Sequence, residues 1–270
     1  MMHSTPVEIT LIGGPTVMIE INGVRLVTDP TFDAPGAYSS GAITLEKTEG
    51  PAISADDIGK VDAVLLSHDQ HADNFDPAGK IFAAKAKIVL TTEAAHKRLG
   101  ANSVGLKPWR SHKVGKHGEL TVIATPARHG PPGAEDRLGD VIGFLVRASD
   151  KKDLVYVTGD TVFYDGVAEV ARRYKPRVVV VFAGAARTRG PFNLTMGNND
   201  VLELANAFPQ ASIVTVHNRG WKHFTEGPES LAAASRTFAL SGRLQSLLPG
   251  RKLLFSEERS AADMPVGEGK

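Results

Sequence analysis

Histidines and carboxylates are concentrated in one short stretch of the chain, between Ser67 and Asn74. Four candidate metal ligands fall within six residues of this stretch: His68, Asp69, His71 and Asp73. Imidazole and carboxylate groups together suit zinc, manganese or iron. Turns are also rich in aspartate and asparagine, so the stretch alone is consistent with either a metal site or a polar turn. Side chains elsewhere in the chain must decide between the two.

The other candidate ligands each follow a predicted strand, as His68 does. The apolar run 61–66 before His68 predicts a buried strand, because it is short and rich in valine and leucine. The same order of strand and ligand recurs in three places: His129 after 119–125, Asp160 after 154–157 and His217 after 212–216. A sheet that aligns several strand ends at one edge gathers residues from distant parts of the chain into one cleft.

One metal-binding cleft is therefore predicted from these strand ends. Its candidate ligands are His68, His71, Asp73, His129, Asp160 and His217. The set is large enough for two metal ions, with Asp160 as a candidate bridge between them. Taken singly, His129 is also consistent with a loop, Asp160 with a turn and His217 with a core position, but the repeated placement favours a site. The histidines that lack this placement are predicted to be solvated: His3, His96, His112 and His117.

The composition narrows the class of protein. The chain has 270 residues, 42% hydrophobic and 23% charged, which is ordinary for a globular protein with an apolar core. A net charge of +1 argues against nucleic acid and against an anionic membrane surface as partners. The chain has no cysteine, which excludes disulfides, a thiolate nucleophile and cysteine metal ligands. With no recognisable signal sequence or apolar membrane span, we expect a soluble cytoplasmic protein.

The order of predicted elements indicates one domain over residues 1–270. The first half is rich in strands and includes a hairpin in which residues 16–21 and 24–28 pair across Asn22-Gly23. The second half alternates strand and helix. No linker-like shift in composition separates the halves.

Three segments are predicted to lack regular structure. Residues 31–52 contain glycine, serine and proline and are predicted to form a long loop that acts as a flap. Residues 101–118 are polar and predicted to be irregular. The tail from Ser260 is predicted to be loose.

The chain resembles the metallo-β-lactamase-fold hydrolase superfamily over nearly its whole length. A histidine-rich loop comes first, followed by a lone histidine, a Gly-Asp pair and a last histidine. Further matching stretches lie at residues 12–16, 28–33 and 221–224. Within the superfamily, the chain is most similar to the branch that contains the ascorbate-phosphate lactonase-like proteins. The resemblance implies an α/β (α+β) fold, a four-layer αββα sandwich with two sheets face to face, helices outside and the site at one edge.

The resemblance also implies a role for each candidate ligand. A first metal ion would be held by His68, His71 and His129, and a second by Asp73 and His217, with Asp160 between them. The cofactor would be one or two divalent ions, with zinc or manganese favoured over iron. Asp29 matches an aspartate that supports the ligand loop from behind, and an Asp-Pro turn explains it equally well. The catalytic residues would be Asp73, which orients the attacking hydroxide, and His223, which donates to the substrate or supports the site.

The ligand loop departs from the superfamily pattern, which reads His-x-His-x-Asp-His. Here an extra residue precedes the second histidine, and Asn74 follows Asp73. Asn74 would then replace a nitrogen ligand of the second ion and make that site more oxygen-rich, as manganese or magnesium prefers. Alternatively, Asp69 turns inward and supplies the missing ligand, or the protein holds a single metal ion.

The predicted function is a metal-dependent hydrolase that uses a metal-bound hydroxide to cleave a small lactone, ester or amide. The alternatives are a metal-dependent phosphodiesterase and a non-catalytic member of the fold that binds a metal or ligand, with an iron-dependent oxygenase as a more distant option. The expected partner is a small-molecule substrate, and a homo-oligomer is left open. Arg128 and Arg219 flank ligands and are candidates to meet an anionic substrate group. Trp221 belongs either to the core or to the pocket wall.

Overall fold

The computed structural model describes residues 5–40 and 43–256, and the tail predicted to be loose from Ser260 lies outside these ranges. The strands of the described residues are β1 (Val7–Gly13), β2 (Thr16–Ile21), β3 (Val24–Thr28), β4 (Gly36–Ser40), β5 (Ile43–Lys47), β6 (Ala63–Leu65), β7 (Val89–Thr92), β8 (Ser103–Leu106), β9 (Ser111–Val114), β10 (Leu120–Pro126), β11 (Ile142–Ala148), β12 (Asp153–Val157), β13 (Val178–Phe182), β14 (Ser212–Val216), β15 (Leu244–Ser246) and β16 (Lys252–Phe255). The helices are α1 (Ala55–Ile58), α2 (Pro77–Lys85), α3 (Glu93–Leu99), α4 (Glu135–Leu138), α5 (Asp165–Arg173), α6 (Asn198–Ala207) and α7 (Pro228–Thr237). Within the described ranges, none of these helices has the length and apolarity needed to cross a bilayer.

Two seven-stranded sheets form the centre of the structure. The first sheet has the strand order β16-β1-β2-β3-β6-β7-β8, and the second has the order β15-β14-β13-β12-β11-β10-β9. In each sheet four consecutive strands are parallel, from β3 to β8 in the first and from β12 to β15 in the second. The other neighbouring strands are antiparallel. Because parallel strands end at the same edge, residues that follow them in the chain are brought together.

Side chains alternate between two apolar environments along the strands. Ile9 of β1 and Phe144 of β11 belong to the cluster between the two sheets. Tyr156 of β12 points to the other face, into a cluster that also contains residues of α5, α6 and α7. Val64 of β6 lies in a third cluster with residues of α1 and α2. Two sheets face to face with helices on both outer sides confirm the predicted αββα sandwich.

The β2–β3 hairpin shows how local sequence determines an element. Asn22 and Gly23 connect the strands with φ angles of 50° and 79°. Positive φ at both central residues is the geometry that a two-residue hairpin turn requires, and Asn-Gly adopts it at low cost. Glu20 pairs with Arg25 across the strands, next to the pairing of Ile21 with Val24. The predicted hairpin is therefore confirmed.

The prediction of a long loop over residues 31–52 is wrong, because β4 and β5 pair there as a separate two-stranded sheet. On β5, Leu45 and Lys47 are buried, whereas Thr44 and Glu46 are exposed. The alternation of a strand is present, but one of its buried positions is a lysine. A buried lysine needs a charged partner that the local sequence does not show, so the pattern could not be recognised.

The prediction that residues 101–118 are irregular is also wrong, because they contain β8 and β9. Each of these strands lies at an end of its sheet. An end strand has one neighbour and exposed side chains, as in β9, where Ser111 and Lys113 are exposed. Its sequence is therefore polar, and hydrophobic periodicity does not reveal it.

Candidate metal centre

The six ligands predicted from the sequence meet at one edge of the sandwich. They form two groups of donor atoms, each within 4.8 Å: His68, His71, His129 and Asp160 in the first, and Asp73, Asp160 and His217 in the second. The strands that deliver them are β6 for the ligand loop, β10 for His129, β12 for Asp160 and β14 for His217. Residues from both sheets therefore meet in one place.

The first group has the spacing of a metal site. His68 Nε2 lies 2.9 Å from His71 Nδ1 and 3.9 Å from Asp160 Oδ2. His129 Nε2 lies 3.3 Å from His71 Nδ1 and 3.6 Å from the same oxygen. Nitrogen ligands that bind a tetrahedral zinc ion at about 2.0–2.1 Å are about 3.3 Å from each other. The measured separations lie around this value.

The second group shares Asp160 with the first. His217 Nε2 lies 3.3 Å from Asp160 Oδ1 and 3.7 Å from Asp73 Oδ2. The other oxygen of Asp160, Oδ2, faces His68 and His129. The two oxygens of one carboxylate thus face different groups, which is the arrangement needed to bridge two cations.

Buried backbone contacts hold the ligand loops. The amide of Ser67, directly before His68, donates to Asp29 Oδ1 at 2.7 Å. Of the two roles that the sequence left open for Asp29, this contact favours support of the ligand loop. The amide of His217 donates to the carbonyl oxygen of Gly14 at 2.9 Å and thereby ties the second sheet to the first. Asp29 and His217 have positive φ angles, 28° and 55°. Such strain costs about 1–3 kcal/mol per residue and is typical of functional sites.

Hydrogen bonds on the outer side orient two of the imidazoles. His129 Nδ1 lies 2.8 Å from the carbonyl oxygen of Leu194. Because a carbonyl oxygen only accepts, Nδ1 carries the proton and Nε2 turns its lone pair to the first group. His68 Nδ1 pairs with Ser67 Oγ at 2.9 Å. Contacts of this kind set the tautomer and direction of metal-binding imidazoles.

Two histidines of the first group are neutral. Burial lowers the pKa of His68 well below its ordinary value, and the nearby His71 acts in the same direction. Burial also lowers the pKa of His71 to about 4, with the charges of His129 and Arg189 adding to the effect. The neutral imidazole is the form that binds a metal ion.

The site also contains buried negative charge. Burial opposes ionisation of both Asp73 and Asp160. A hydrogen bond from His223 nevertheless holds the pKa of Asp73 below its usual range. The charge of His217 does the same for the pKa of Asp160. Burial raises the pKa of Asp29 well above its ordinary value, and the charges of Asp160 and Asp73 act in the same direction. Buried carboxylates need compensating positive charge, which a divalent cation supplies.

Buried polar atoms without hydrogen bonds support the fit of a metal. Among the described residues, both ring nitrogens of His217 and Oδ1 of Asp160 are buried and have no hydrogen-bond partner. Both amide atoms of Asn74 are in the same situation. Buried polar atoms in proteins almost always have a partner. Cations bound between these groups would satisfy Nε2 of His217 and Oδ1 of Asp160, so the residues fit the metal that the fold implies.

The alternative in which Asp69 turns inward is wrong. Its carboxylate instead pairs with the guanidinium of Arg98, with separations of 2.7 Å from Nε and 2.5 Å from Nη2. This bidentate geometry is the preferred one for an arginine and a carboxylate. Asp69 therefore fastens the ligand loop to α3.

His223, which the sequence suggested as a donor to the substrate or a support of the site, lies beside Asp73. Its Nε2 is 2.9 Å from Asp73 Oδ2. Trp221 is 4% exposed and packs with Leu45 and Ala72, so it belongs to an apolar cluster.

Both arginines that were candidates to meet an anionic substrate group have contacts within the protein. Arg219 forms two hydrogen bonds to the carboxylate of Glu49, at 2.9 and 3.0 Å. Arg128 donates to the carbonyl oxygen of Gly130, and its guanidinium lies 4.4 Å from the ring centre of Tyr164.

A narrow cleft of about 20 Å³ opens beside the ligands. This is room for about one water molecule. Its walls are formed by Ile43, Leu45, His71, Asp73, His129, Ala186, Thr188, Arg189, Leu194 and His223. The sequence did not single out Arg189 or the apolar walls, because they come from the β4–β5 hairpin and from the loop after β13.

Comparisons with known proteins agree with this fold. The sequence model of the beta-lactamase superfamily domain matches residues 24–218. A Bacillus subtilis relative, the UPF0173 protein YddR, is 28% identical over 88% of this chain and 95% of its own. A UPF0173 metal-dependent hydrolase from Caldivirga maquilingensis is 24% identical over 88% of this chain and 94% of its own. The solved structure of an isothiocyanate hydrolase from Delia radicum gut bacteria is similar with a TM-score of 0.79 and 24% identity, covering 92% of this chain and 99% of that one.

Fold and site together define a protein of the metallo-β-lactamase type. The chain belongs to the beta-lactamase superfamily. The ascorbate-phosphate lactonase-like branch within it stays a prediction.

Proposed function

We propose that this member of the beta-lactamase superfamily is a metal-dependent hydrolase that cleaves a small lactone, ester or amide. The main support for the proposal is the carboxylate of Asp160, which belongs to both groups of donor atoms. Its two oxygens face these two buried groups. The curated relative from Caldivirga maquilingensis, named a metal-dependent hydrolase, supports the same reading.

We assign one cation to each donor group. The first would be held by His68, His71 and His129, the second by Asp73 and His217, and both by Asp160. Divalent cations in such sites would lower the pKa of water and polarise the carbonyl oxygen of the substrate. Imidazole and carboxylate ligands suit zinc and manganese. Asn74 makes the second site richer in oxygen donors, which favours manganese there.

Asp73 is the proposed catalytic residue, and His223 is the residue that positions it. His223 donates from Nε2 to Asp73 Oδ2 and thereby keeps this carboxylate ionised and fixed in direction. An ionised Asp73 orients the attacking water and takes up its proton. The same carboxylate returns the proton to the leaving group when the bond breaks.

The cleft beside the ligands is narrow and partly apolar. Leu45 and Leu194 are buried, at 5% and 2% exposure, and lie on two different segments that line the cleft. Apolar walls keep bulk water away from the reacting atoms, which strengthens electrostatic interactions inside the site.

The absence of cysteine from the chain fits a reducing compartment, and we propose the cytoplasm as its location.

Hydrolysis assays on reloaded protein test this function. Protein stripped with a chelator and reloaded with zinc or manganese is offered a lactone, an aryl ester, an anilide, an isothiocyanate and a phosphodiester. We expect turnover of a carbonyl substrate that needs added metal and falls by more than about a hundredfold in Asp160→Asn, because loss of even a supporting residue costs 10- to 100-fold.

The matched control is Asp165→Asn, which changes an exposed aspartate in the first turn of α5 and should keep wild-type turnover. Turnover of the phosphodiester alone would show that the protein hydrolyses a phosphodiester and not a carbonyl compound. Absence of turnover with every substrate and either metal would favour a non-catalytic member of the fold and contradict the proposal.

A further inference from the structure

The cleft beside the ligands contains a single arginine, Arg189. Of the ten described residues that line the cleft, Arg189 alone is exposed. The side chain of Arg189 is therefore open to a substrate that approaches the cleft from solvent.

Arg189 is not engaged by another charged residue among those that the structure describes. Other arginines near the site have partners, as Arg98 does in Asp69 and Arg219 in Glu49. Arg187, two residues earlier, donates to Asn193 Oδ1 at 2.8 Å. The donors of Arg189 are thus free to bind a group that comes from outside.

The loop that carries Arg189 is fixed to the ligand site. The amide of Leu194 donates to the carbonyl oxygen of Ala186 at 2.8 Å, which closes the loop between these residues. The amide of Ala186 donates to Thr195 Oγ1 at 3.0 Å. The carbonyl oxygen of Leu194 in turn accepts the bond from His129 Nδ1. One closed loop therefore orients a proposed metal ligand and positions Arg189 at the mouth of the cleft.

We infer that Arg189 binds a carboxylate of the substrate, so that the substrate is a small ester or lactone with a carboxylate on the solvent side of the bond that is cleaved. This inference rests on the proposed hydrolase function and names its substrate class. The planar guanidinium donates two parallel hydrogen bonds to a carboxylate. One unpaired guanidinium matches the single charge and the planar shape of a carboxylate. Arg189 acts in binding and specificity, and the chemistry stays with the residues at the ligands.

Two matched esters test the inference. The anionic ester 4-acetoxybenzoate and its neutral methyl ester release the same acetate, and each consumes one water to form acetic acid and a phenol. In the wild type, we expect a lower KM for the anionic ester. In Arg189→Gln, the ratio of kcat/KM for the anionic over the neutral ester should fall about tenfold, because hydrogen bonds to charged groups are worth that much or more. The change should appear in KM rather than in kcat.

Two further variants test whether the preference for the anionic ester depends on the charge of Arg189, on its two parallel donors or on its position in the cleft. Arg189→Lys keeps the charge without the two parallel donors and should retain part of the preference. Arg187→Gln changes an exposed arginine of the same loop that does not line the cleft and should keep the wild-type ratio.

A binding measurement makes the test independent of turnover. Titration calorimetry on metal-loaded protein compares 4-hydroxybenzoate with methyl 4-hydroxybenzoate, the products of the two esters. Tighter binding of the anion that is lost in Arg189→Gln supports the inference even if neither ester is hydrolysed, an outcome that would count against the proposed function alone. Equal binding of the two compounds, or a preference that Arg189→Gln leaves unchanged, overturns the inference and leaves the hydrolase function standing.

Discussion

Asp73 is the residue of the site on which two histidines converge. His223 Nε2 lies 2.9 Å and His217 Nε2 3.7 Å from its Oδ2 oxygen. Only His217 belongs to a group of donor atoms, so His223 acts on the site through Asp73. A group behind a metal ligand fixes its direction and its charge, and the effect on catalysis is measurable although the group binds no metal.

Replacing His223 tests this assignment. In His223→Ala we expect kcat to fall about 10- to 100-fold, the usual cost of losing a hydrogen bond behind a metal ligand. His223→Gln keeps a donor and should restore part of the rate, which a purely structural role would not predict. His96→Ala serves as control, because His96 pairs with Ser103 outside both ligand groups. Equal rates for the alanine variant and the wild type would contradict the assignment, as would failure of glutamine to restore any activity.

The sequence predicted residues whose position follows from a strand end. His129 and Asp160 each lie three residues after a strand, β10 and β12, and this placement is visible in the order of the chain. The pairing of Asp69 with Arg98 was not predictable, because it joins residues 29 positions apart across α3 and the ligand loop. Arg189 was missed for a similar reason: its relation to the cleft depends on how its loop closes.

At the scale of elements, the β4–β5 hairpin covers the site and is held at its base. Lys47 Nζ lies 3.0 Å from Asp76 Oδ2, and both side chains are buried. Asp76 caps α2 by accepting from the amide of Gly79, and it also accepts from the amides of Phe32 and Asp33. One ion pair thus connects the hairpin, the loop after β3 and the start of α2.

Removing this lysine should destabilise the fold. We expect Lys47→Ala to lower the free energy of unfolding by about 3 kcal/mol, the lower end of the range for breaking a buried ion pair, because Asp76 keeps its backbone donors. Lys87→Ala removes an exposed lysine that pairs with Asp62 and should cost less than about 1 kcal/mol. Urea denaturation of the three proteins measures the difference. Equal losses in the two variants would show that the hairpin is held by other contacts.

Elements with strong local signals were predictable, and those that depend on distant partners were not. Thr92 caps α3 by accepting from the amide of Ala95 at 3.0 Å, and Gly100 ends this helix with φ of 81°. Threonine before a helix and glycine after it are residue types that mark helix ends in a sequence. By contrast, β5 has a buried lysine and β9 lies at a sheet end, so both differ from the apolar pattern on which strand prediction depends.

At the scale of the whole molecule, polar side chains that follow strands of both sheets lie together at the proposed metal centre. Asp160 follows a strand of the second sheet, whereas His68 follows a strand of the first. Apolar residues of both sheets form one cluster between them. This shared core agrees with the expectation of one domain over residues 1–270, which stays a prediction. The sequence could indicate the layers through alternation, but not which strand ends would face each other.

The central claim is that Asp160 joins two metal sites, and the metal content of the protein tests it most directly. Elemental mass spectrometry is applied to wild type and Asp160→Ala, each purified without chelator and then equilibrated with manganese or zinc. The bridging arrangement predicts about two metal ions per wild-type chain and a clear loss in the variant, because both sites lose a ligand. A wild type that holds no metal, or a variant that holds as much as the wild type, would contradict the claim.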